Sequence, residues 1–412
     1  MGERVKRLRK GLLIAAGALV ATQFAAAIGV TVADAVRKRR EPLPGKFPRH
    51  VPIDVEAHGS ELRLYTDGDT LYHDMLADIR SARSTIYFES YIWKDDLIGQ
   101  EFKRELTAAA HRGVDVYVIY DRFANLVVPP PFKRFDPALR VLPFRLFNGR
   151  FLLAPRAWAR DHRKILVVDE SAGYVGGYNI GKSYADTWRD THMRVEGPSL
   201  AELTNAFVDF WNYYKPKHQP RLPDPGAREW DANVTAVANL PHRLLFPVRG
   251  LYLDAIDRAT RNIFITQAYF LPDEDMTTAL LEAVERGVEV RILVPKLSNH
   301  VLADWVSRGS YDQLLAGGVH IHRYMDAMVH SKTMTVDGHW STVGTTNVDR
   351  LSFTGNFEIN LAIFDTGFAA AMEDVFANDL SNTDEVELER WRQRSRSRQI
   401  IERLLEPFSF VL

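Results

Sequence analysis

A set of polar residues suited to phosphoryl transfer occurs twice in this chain of 412 residues, with a constant offset of 168 positions. Each copy contains a histidine, a lysine two residues later, an aspartate, a glycine, an asparagine and a final carboxylate. They are His162, Lys164, Asp169, Gly176, Asn179 and Asp190 in the first copy, and His330, Lys332, Asp337, Gly344, Asn347 and Glu358 in the second. Chance would not keep six residue types in register, and a covalent phosphoryl-transfer site needs two histidines.

Each residue type in the repeat has a task around a phosphate. The histidine and the lysine lie at i and i+2 of an extended segment, so both side chains point to the same face. The glycine and the asparagine belong to a turn that lets backbone N–H groups and an amide approach an anion closely. Asp190 and Glu358 stand at equal spacing from the histidines of their own copies, and each can accept a hydrogen bond that holds the imidazole of that histidine.

The reaction that these residues predict proceeds through a phosphohistidine. One imidazole attacks phosphorus, and the other protonates the leaving alcohol and then deprotonates the incoming one. This scheme needs no metal, and neither a metal nor another cofactor is expected. The chain contains no cysteine, which excludes thiolate zinc sites and thiol catalysis. A single His-x-Lys is more often structural than functional, whereas two matched copies favour a functional site.

The elements that must position these residues repeat as well. Strands alternate with helical stretches in both halves, which predicts parallel strands joined by crossover helices in a duplicated α/β fold. The predicted strands are 85–93, 112–120, 164–169 and 172–176 in the first half, and 262–270, 286–294, 332–337 and 340–344 in the second.

The N-terminal segment differs in character from the rest. Residues 11–31 carry no charge and are long enough to cross a bilayer, which takes about 20 residues. This length favours an uncleaved anchor over the alternative, a cleaved signal peptide. Residues 1–49 contain eleven of the 52 Lys/Arg and three of the 53 Asp/Glu, which leaves 41 basic and 50 acidic residues in the body. An acidic body is a poor general binder of nucleic acid, so no nucleic-acid partner is expected.

The expected domain division follows from these segments. It is 1–40 for the basic region and transmembrane anchor, 41–54 for a linker, 55–214 for the first lobe, 215–240 for a second linker, 241–366 for the second lobe and 367–412 for a helical tail. The apolar and basic stretch 123–160 is either a loop that contacts anionic lipid or an ordinary packed insertion. The tail helix within 384–407 either lies in the membrane interface or docks on its own domain.

The doubled His-x-Lys-x4-Asp pattern resembles the phospholipase D superfamily over about residues 55–365. The resemblance implies two lobes related by a pseudo-twofold axis, each a mixed β-sheet flanked by helices. It also implies a role for every residue of the repeat. These are His162 as nucleophile, His330 as general acid and base, Lys164, Lys332, Asn179 and Asn347 as phosphate ligands, Asp190 and Glu358 as supports for the histidines, and Asp169 and Asp337 as structural residues.

Finer matches resemble the bacterial cardiolipin synthases. The matching segments are 161–169, 176–181, 188–198, 267–273 and 356–361, with Thr345 where serine is common. This resemblance implies a bacterial cell-membrane protein with a single-pass N-terminal anchor, which transfers a phosphatidyl group between two phosphatidylglycerol molecules and releases glycerol. Two alternatives stay open: a phospholipase D or phosphodiesterase that hydrolyses lipid or nucleic acid, and an inactive lipid-binding scaffold.

Overall fold

The computed structural model describes residues 2–145, 158–223 and 233–410. Its first part contains an N-terminal helix and the elements of one lobe. The helices are α1 (Gly2–Arg40), α2 (Gly68–Ser81), α3 (Leu97–His111), α4 (Lys182–Asp186) and α5 (Leu200–Tyr214). The strands are β1 (Ile53–Ala57), β2 (Ser60–Tyr65), β3 (Thr85–Ser90), β4 (Asp115–Asp121), β5 (Arg140–Phe144), β6 (Ile165–Val168), β7 (Ala172–Gly176), β8 (Trp188–Arg189) and β9 (His192–Glu196).

The second part contains the other lobe and the tail. The strands are β10 (Val234–Ala238), β11 (Asn262–Gln267), β12 (Glu289–Pro295), β13 (His320–Tyr324), β14 (Met328–Val329), β15 (Lys332–Val336), β16 (Trp340–Gly344), β17 (Ile359–Phe364) and β18 (Thr383–Glu385). The helices are α6 (Pro247–Arg258), α7 (Glu274–Glu285), α8 (Val301–Ala316), α9 (Arg350–Thr354), α10 (Thr366–Leu380), α11 (Leu388–Arg392) and α12 (Arg396–Leu405), and a 3-10 turn follows at Glu406–Phe410.

Two mixed sheets of eight strands form the lobes, in the orders β1-β2-β9-β7-β6-β3-β4-β5 and β10-β17-β16-β15-β11-β12-β13-β18. Strands β3, β4 and β5 are parallel, as are β11, β12 and β13, because helices form some of the crossovers between them. The strands around each motif pair antiparallel with their neighbours. The predicted fold class, two mixed sheets flanked by helices, is therefore confirmed.

The offset of 168 residues seen in the sequence is also an offset of structure. Strand β7 and helix α4 recur as β16 and α9, with both ends of each element shifted by that number. The two lobes share a core, in which Val175 and Met193 of the first sheet belong to the same buried cluster as Val343 and Leu361 of the second. Burial of apolar side chains between the lobes holds the two copies of the motif together.

The domain division stays a prediction, but two of its ranges contain strands that belong to the second sheet. Strand β10 lies within 215–240, the predicted second linker, and pairs antiparallel with β17. Strand β18 lies within the predicted tail and pairs antiparallel with β13. Residues 146–157, part of the predicted lipid-contacting stretch, and 224–232 of the linker lie outside the described residues.

Helix α1 and the tail pack against each other on one edge of the second lobe. Ala27 and Val30 of α1 form a buried cluster with Val306 of α8 and Leu405 of α12. The opposite face of α1 is exposed, with Ile28 at 63%. Of the helices in the described residues, α1 alone is long and apolar enough to cross a membrane. The tail helix α12 docks on α1 and α8, one of the two predicted alternatives.

A buried ion pair joins the two halves of the chain. The Arg189 guanidinium donates to both carboxylate oxygens of Asp379, at 2.9 and 2.6 Å, and both side chains are almost fully buried. We expect Asp379→Ala to lower the free energy of unfolding by about 3–5 kcal/mol, because it leaves a buried charge without its partner. Chemical denaturation of the protein in detergent measures this. The control is Asp312→Ala, which breaks the exposed pair with Arg392 and should cost at most about 1 kcal/mol. Equal losses of unfolding free energy in the two variants would contradict a stabilising role of the Arg189–Asp379 ion pair.

Candidate active site

Each motif strand begins in contact with the opposite lobe. The backbone N–H of His162 donates to the carbonyl of Phe357 at 3.0 Å, and the N–H of Phe357 donates to the carbonyl of Arg160. On the other side, the N–H of His330 donates to the carbonyl of Arg189 at 2.7 Å, and β14 pairs parallel with β8. These two crossings bring both histidines to the seam between the lobes.

Because of these crossings, the histidine of each motif contacts the supporting carboxylate of the other motif. His162 Nδ1 lies 2.9 Å from Glu358 Oε2, and His330 Nδ1 lies 2.6 Å from Asp190 Oδ2. The expectation that each carboxylate holds the histidine of its own copy is therefore wrong. Glu358 directly follows Phe357, which accepts the backbone hydrogen bond of His162. Asp190 directly follows Arg189, which accepts that of His330. Each carboxylate therefore contacts the histidine of the other lobe. Both contacts engage Nδ1 and leave Nε2 available for chemistry.

The two motif lysines are buried behind the histidines. Lys164 Nζ donates to the His162 carbonyl at 2.5 Å, while Lys332 Nζ donates to the His330 carbonyl and lies 3.0 Å from Nδ1 of that ring. Burial lowers the pKa of Lys164 to about 7 and that of Lys332 to about 8. Burial disfavours the two ammonium groups, and a bound phosphate would favour their charged forms.

The motif asparagines have different environments. The Asn179 side-chain oxygen accepts a hydrogen bond from the Ile92 N–H at 3.1 Å. Within the described part of the chain, the corresponding oxygen of Asn347 has no hydrogen-bond partner, although the side chain is buried. The two copies therefore do not present identical groups to a ligand.

A cavity of about 230 Å³ lies at the seam and is lined by both lobes. It contacts His162 and Asn179 of the first motif and His330 and Asn347 of the second. The lysines and the supporting carboxylates are not among the lining residues and stand in a layer behind them. The structure thus brings both histidines and both asparagines to a single cavity.

The two histidine–carboxylate pairs differ in their electrostatics. Burial, together with the charges of Lys164 and Lys332, lowers the pKa of His162 well below its usual value. Burial raises the pKa of its partner Glu358 to about 8, against the opposing charges of the two lysines. The first pair is therefore largely uncharged in the empty cavity at neutral pH.

The second pair keeps an ionised carboxylate. Burial would raise the pKa of Asp190, but the charges of His330 and Lys332 and its hydrogen bonds outweigh burial and lower it. Burial and the charge of Lys332 lower the pKa of His330 to about 3. The charge of an anionic ligand would oppose that of Lys332, and together with the carboxylate of Asp190 it would favour an imidazolium at His330.

The two motif aspartates lie outside the cavity. Asp169 accepts hydrogen bonds from the N–H groups that precede and begin β3, those of Arg83, Ser84 and Thr85. Asp337 accepts from the equivalent amides before β11. Each aspartate joins the end of its motif strand to the start of the neighbouring strand, β3 or β11.

The cavity also contains residues that motif spacing did not identify. Tyr91 packs edge-on against His162, with ring centroids 4.6 Å apart, and Trp188 lies 5.1 Å from the ring of His330. Asp349 lines the second lobe's wall and is buried. The repeat could have identified Asp349, because the first copy has Gly181 at that position and the two copies therefore differ there.

Within the described residues, no group of three or more His, Asp or Glu side chains could hold a metal ion.

Binding of a phosphodiester at pH 8 is expected to take up protons. In the empty cavity Lys164 is then mostly neutral and Lys332 about half neutral, and a phosphodiester anion raises the pKa of both. Calorimetry with glycerophosphoglycerol in buffers of different ionisation enthalpy counts the protons. We expect more uptake at pH 8 than at pH 6, where both lysines are already charged. Lys332→Met should reduce the uptake at pH 8, and proton release there would contradict the prediction.

Comparisons with known proteins identify the family of the chain. A family profile described as "Cardiolipin synthase, PLD-like domain" matches residues 75–211 and 252–380. Cardiolipin synthase A of Pseudomonas entomophila (strain L48) is 34% identical over 360 residues, which cover 84% of this chain and 75% of the relative. A cardiolipin synthase of Geobacillus sp. (strain WCH70) is 33% identical over 363 residues, covering 84% of this chain and 72% of the relative.

A solved structure shares the fold at low sequence identity. The crystal structure of phosphatidylserine synthase from Haemophilus influenzae Rd KW20 matches with a TM-score of 0.67 and 15% identity. The match covers 91% of this chain and 97% of that one. It supports the two-lobed arrangement alone.

Proposed function

The chain belongs to the family of cardiolipin synthases with a PLD-like domain and is a phosphatidyltransferase of the phospholipase D superfamily. From this premise we propose that it transfers a phosphatidyl group from one phosphatidylglycerol molecule to another and releases glycerol. The observation that carries the proposal is a single cavity lined by two histidines, each with its Nδ1 held by a buried carboxylate.

The first step forms the covalent intermediate. His162 Nε2 attacks phosphorus, and the bond from phosphorus to the headgroup oxygen breaks. The oxygen leaves with the bonding electron pair and takes a proton from the imidazolium of His330, so glycerol departs neutral. The lowered pKa of His162 is consistent with this role, because a nucleophile must be unprotonated.

The second step reverses the roles of proton donor and acceptor. A hydroxyl of the second phosphatidylglycerol attacks phosphorus and gives its proton to His330. The phosphorus–nitrogen bond breaks and its electron pair returns to His162. Lys164, Lys332, Asn179 and Asn347 are proposed to bind the phosphate oxygens, and donors of this kind stabilise the charge of the transition state. Asp190, through its lowered pKa, supports the imidazolium of His330.

The proposal is tested with purified protein in phosphatidylglycerol vesicles, with lipid products followed over time. Diphosphatidylglycerol and glycerol in equal amounts are expected, and His162→Ala should form neither. Phosphatidic acid as the main product would assign a hydrolase instead. An enzyme inert toward lipid that cleaves DNA would overturn the lipid assignment.

We also propose that α1 anchors the protein in the bacterial cell membrane as a single-pass helix. Support comes from its apolar stretch within Leu13–Arg40 and from the basic residues that follow, Arg37 to Arg40. Anchored protein should stay in the membrane pellet after extraction at alkaline pH. Quantitative release of the full-length chain into the supernatant would contradict the anchor.

A further inference from the structure

The two walls of the active-site cavity differ at a position where the repeat is broken. Asp349 stands in the second copy where Gly181 stands in the first, and each residue immediately precedes a matched helix of five residues, α9 or α4. The Asp349 carboxylate accepts a hydrogen bond from the Ser352 N–H at 2.6 Å. Gly181 has no side chain to do this. A carboxyl group therefore lines the second lobe's wall without a counterpart on the first.

The two motif asparagines also differ in whether the side-chain oxygen has a hydrogen-bond partner. The oxygen of Asn179 is occupied by the Ile92 N–H, whereas that of Asn347 has no partner among the described residues. Asn347 is 4% exposed and Asp349 is 6% exposed, and both line the cavity. The second lobe's wall thus presents two buried acceptor groups.

The unpartnered oxygen of Asn347 needs a ligand that donates a hydrogen bond. The oxygens of a phosphodiester are themselves acceptors and cannot satisfy it. A hydroxyl or an ammonium group can. Buried Ser352 and Asn356 line the same wall, and the more exposed Asn299 lies on the cavity surface. These side chains are uncharged and polar, which suits a group with several hydroxyls.

The charges near Asp349 favour a hydroxyl over an ammonium. Burial raises the pKa of Asp349 to about 7, and the neighbouring Glu358 acts in the same direction. Much of the Asp349 population is therefore neutral at physiological pH and attracts a cation only weakly. A neutral carboxyl both donates to and accepts from a hydroxyl. Of the tyrosine and tryptophan rings that line the cavity, Tyr91, Tyr184 and Trp188 belong to the first lobe and Tyr269 to the second, so the second lobe's wall has one such ring rather than the several that enclose a cationic headgroup.

We infer that Asn347, Asp349, Ser352 and Asn356 form a hydroxyl subsite that binds the headgroup glycerol of phosphatidylglycerol. The subsite holds glycerol first as the leaving group and then as part of the acceptor. Asp349 is its specificity-determining residue. The inference rests on the proposed function and adds the location and chemistry of the headgroup site.

The competing explanation is that Asp349 only caps α9. Asp365 caps α10 through the same contact, accepting from the Phe368 N–H at 2.8 Å, and it is not a cavity-lining residue. Serine replaces aspartate well as a helix cap, so Asp349→Ser and Asp365→Ser form a matched pair. Asp349→Gly, which places the first copy's residue at this position, is a second variant if the first variant does not fold.

The test measures the choice between two soluble acceptors. The full-length protein in phosphatidylglycerol vesicles receives labelled glycerol and 1-propanol at equal concentration, and the ratio of labelled phosphatidylglycerol to phosphatidylpropanol is measured. The unchanged protein should favour glycerol. Asp349→Ser keeps a cap but shortens the side chain, and it should lower the ratio by about 10-fold or more, because a site built to bind hydroxyls discriminates through them. Asp365→Ser should leave the ratio unchanged.

Three results would overturn the subsite. They are an unchanged ratio in both Asp349 variants, an equal loss with both acceptors, and a preference of the unchanged protein for ethanolamine over glycerol. Failure of the proposed function is distinguishable, because the unchanged protein would then form no diphosphatidylglycerol and no alcohol-exchange product. Diphosphatidylglycerol formation with an unaltered ratio in the Asp349 variants would remove only the subsite.

Discussion

The His330→Ala protein is expected to carry a phosphatidyl group on His162 and to turn over at least about 10³-fold more slowly than the unchanged protein. Without His330, no group takes the proton of the incoming hydroxyl, so the intermediate persists. The first step also loses its acid with phosphatidylglycerol. A substrate with a p-nitrophenol headgroup avoids this loss, because that leaving group needs no proton.

The measurement is therefore a burst. His330→Ala should release close to one equivalent of nitrophenol and then stall, and mass spectrometry should find the phosphatidyl group on the peptide that contains His162. His162→Ala should give no burst. His339→Ala, an exposed histidine at the turn between β15 and β16, should behave as the unchanged protein. A burst in His162→Ala with none in His330→Ala would reverse the two roles.

Much of this site was predictable because it depends on local spacing. Side chains two residues apart in a strand share a face, so the proximity of His162 and Lys164 followed from the sequence alone. The strands around each motif were predictable too, since β7 and β16 are short runs that end at the repeated glycine. A duplicated set of elements then predicted two similar lobes.

The pairing across the seam was not predictable from spacing. Asp190 and His330 are 140 residues apart, and Glu358 and His162 are 196 apart. The equal spacing between histidine and carboxylate in each copy fits two arrangements. Each histidine can contact the carboxylate of its own lobe or that of the other lobe. The choice is made by interlobe backbone hydrogen bonds, such as the one from His330 to Arg189, which exist only after both sheets have formed. Strand β10 was not predicted, because it is extended only through its pairing with β17, a partner distant in the sequence.

The exchange has a kinetic consequence, in that Asp190→Asn and Glu358→Gln should damage different steps to different degrees. Asp190 is ionised and holds His330, so Asp190→Asn removes the charge that stabilises the imidazolium. We expect a loss of about 10³–10⁴-fold in turnover, comparable to removing the carboxylate of other carboxylate–histidine pairs. With the nitrophenol substrate, Asp190→Asn should keep its burst and lose the release of the second product.

Glu358→Gln should be much milder below pH 8. The pKa of Glu358 is raised to about 8, so at pH 6.5 the group is already mostly neutral and glutamine resembles it closely. As the pH rises through 8, the unchanged protein gains a carboxylate beside His162 and the variant does not. The burst rate of Glu358→Gln should therefore fall progressively behind the unchanged protein above pH 8. The exposed Asp186→Asn serves as the control and should alter neither step. If Glu358→Gln instead slowed release while Asp190→Asn slowed the burst, each carboxylate would act on the histidine of its own copy, and the exchange seen in the structure would not govern the reaction.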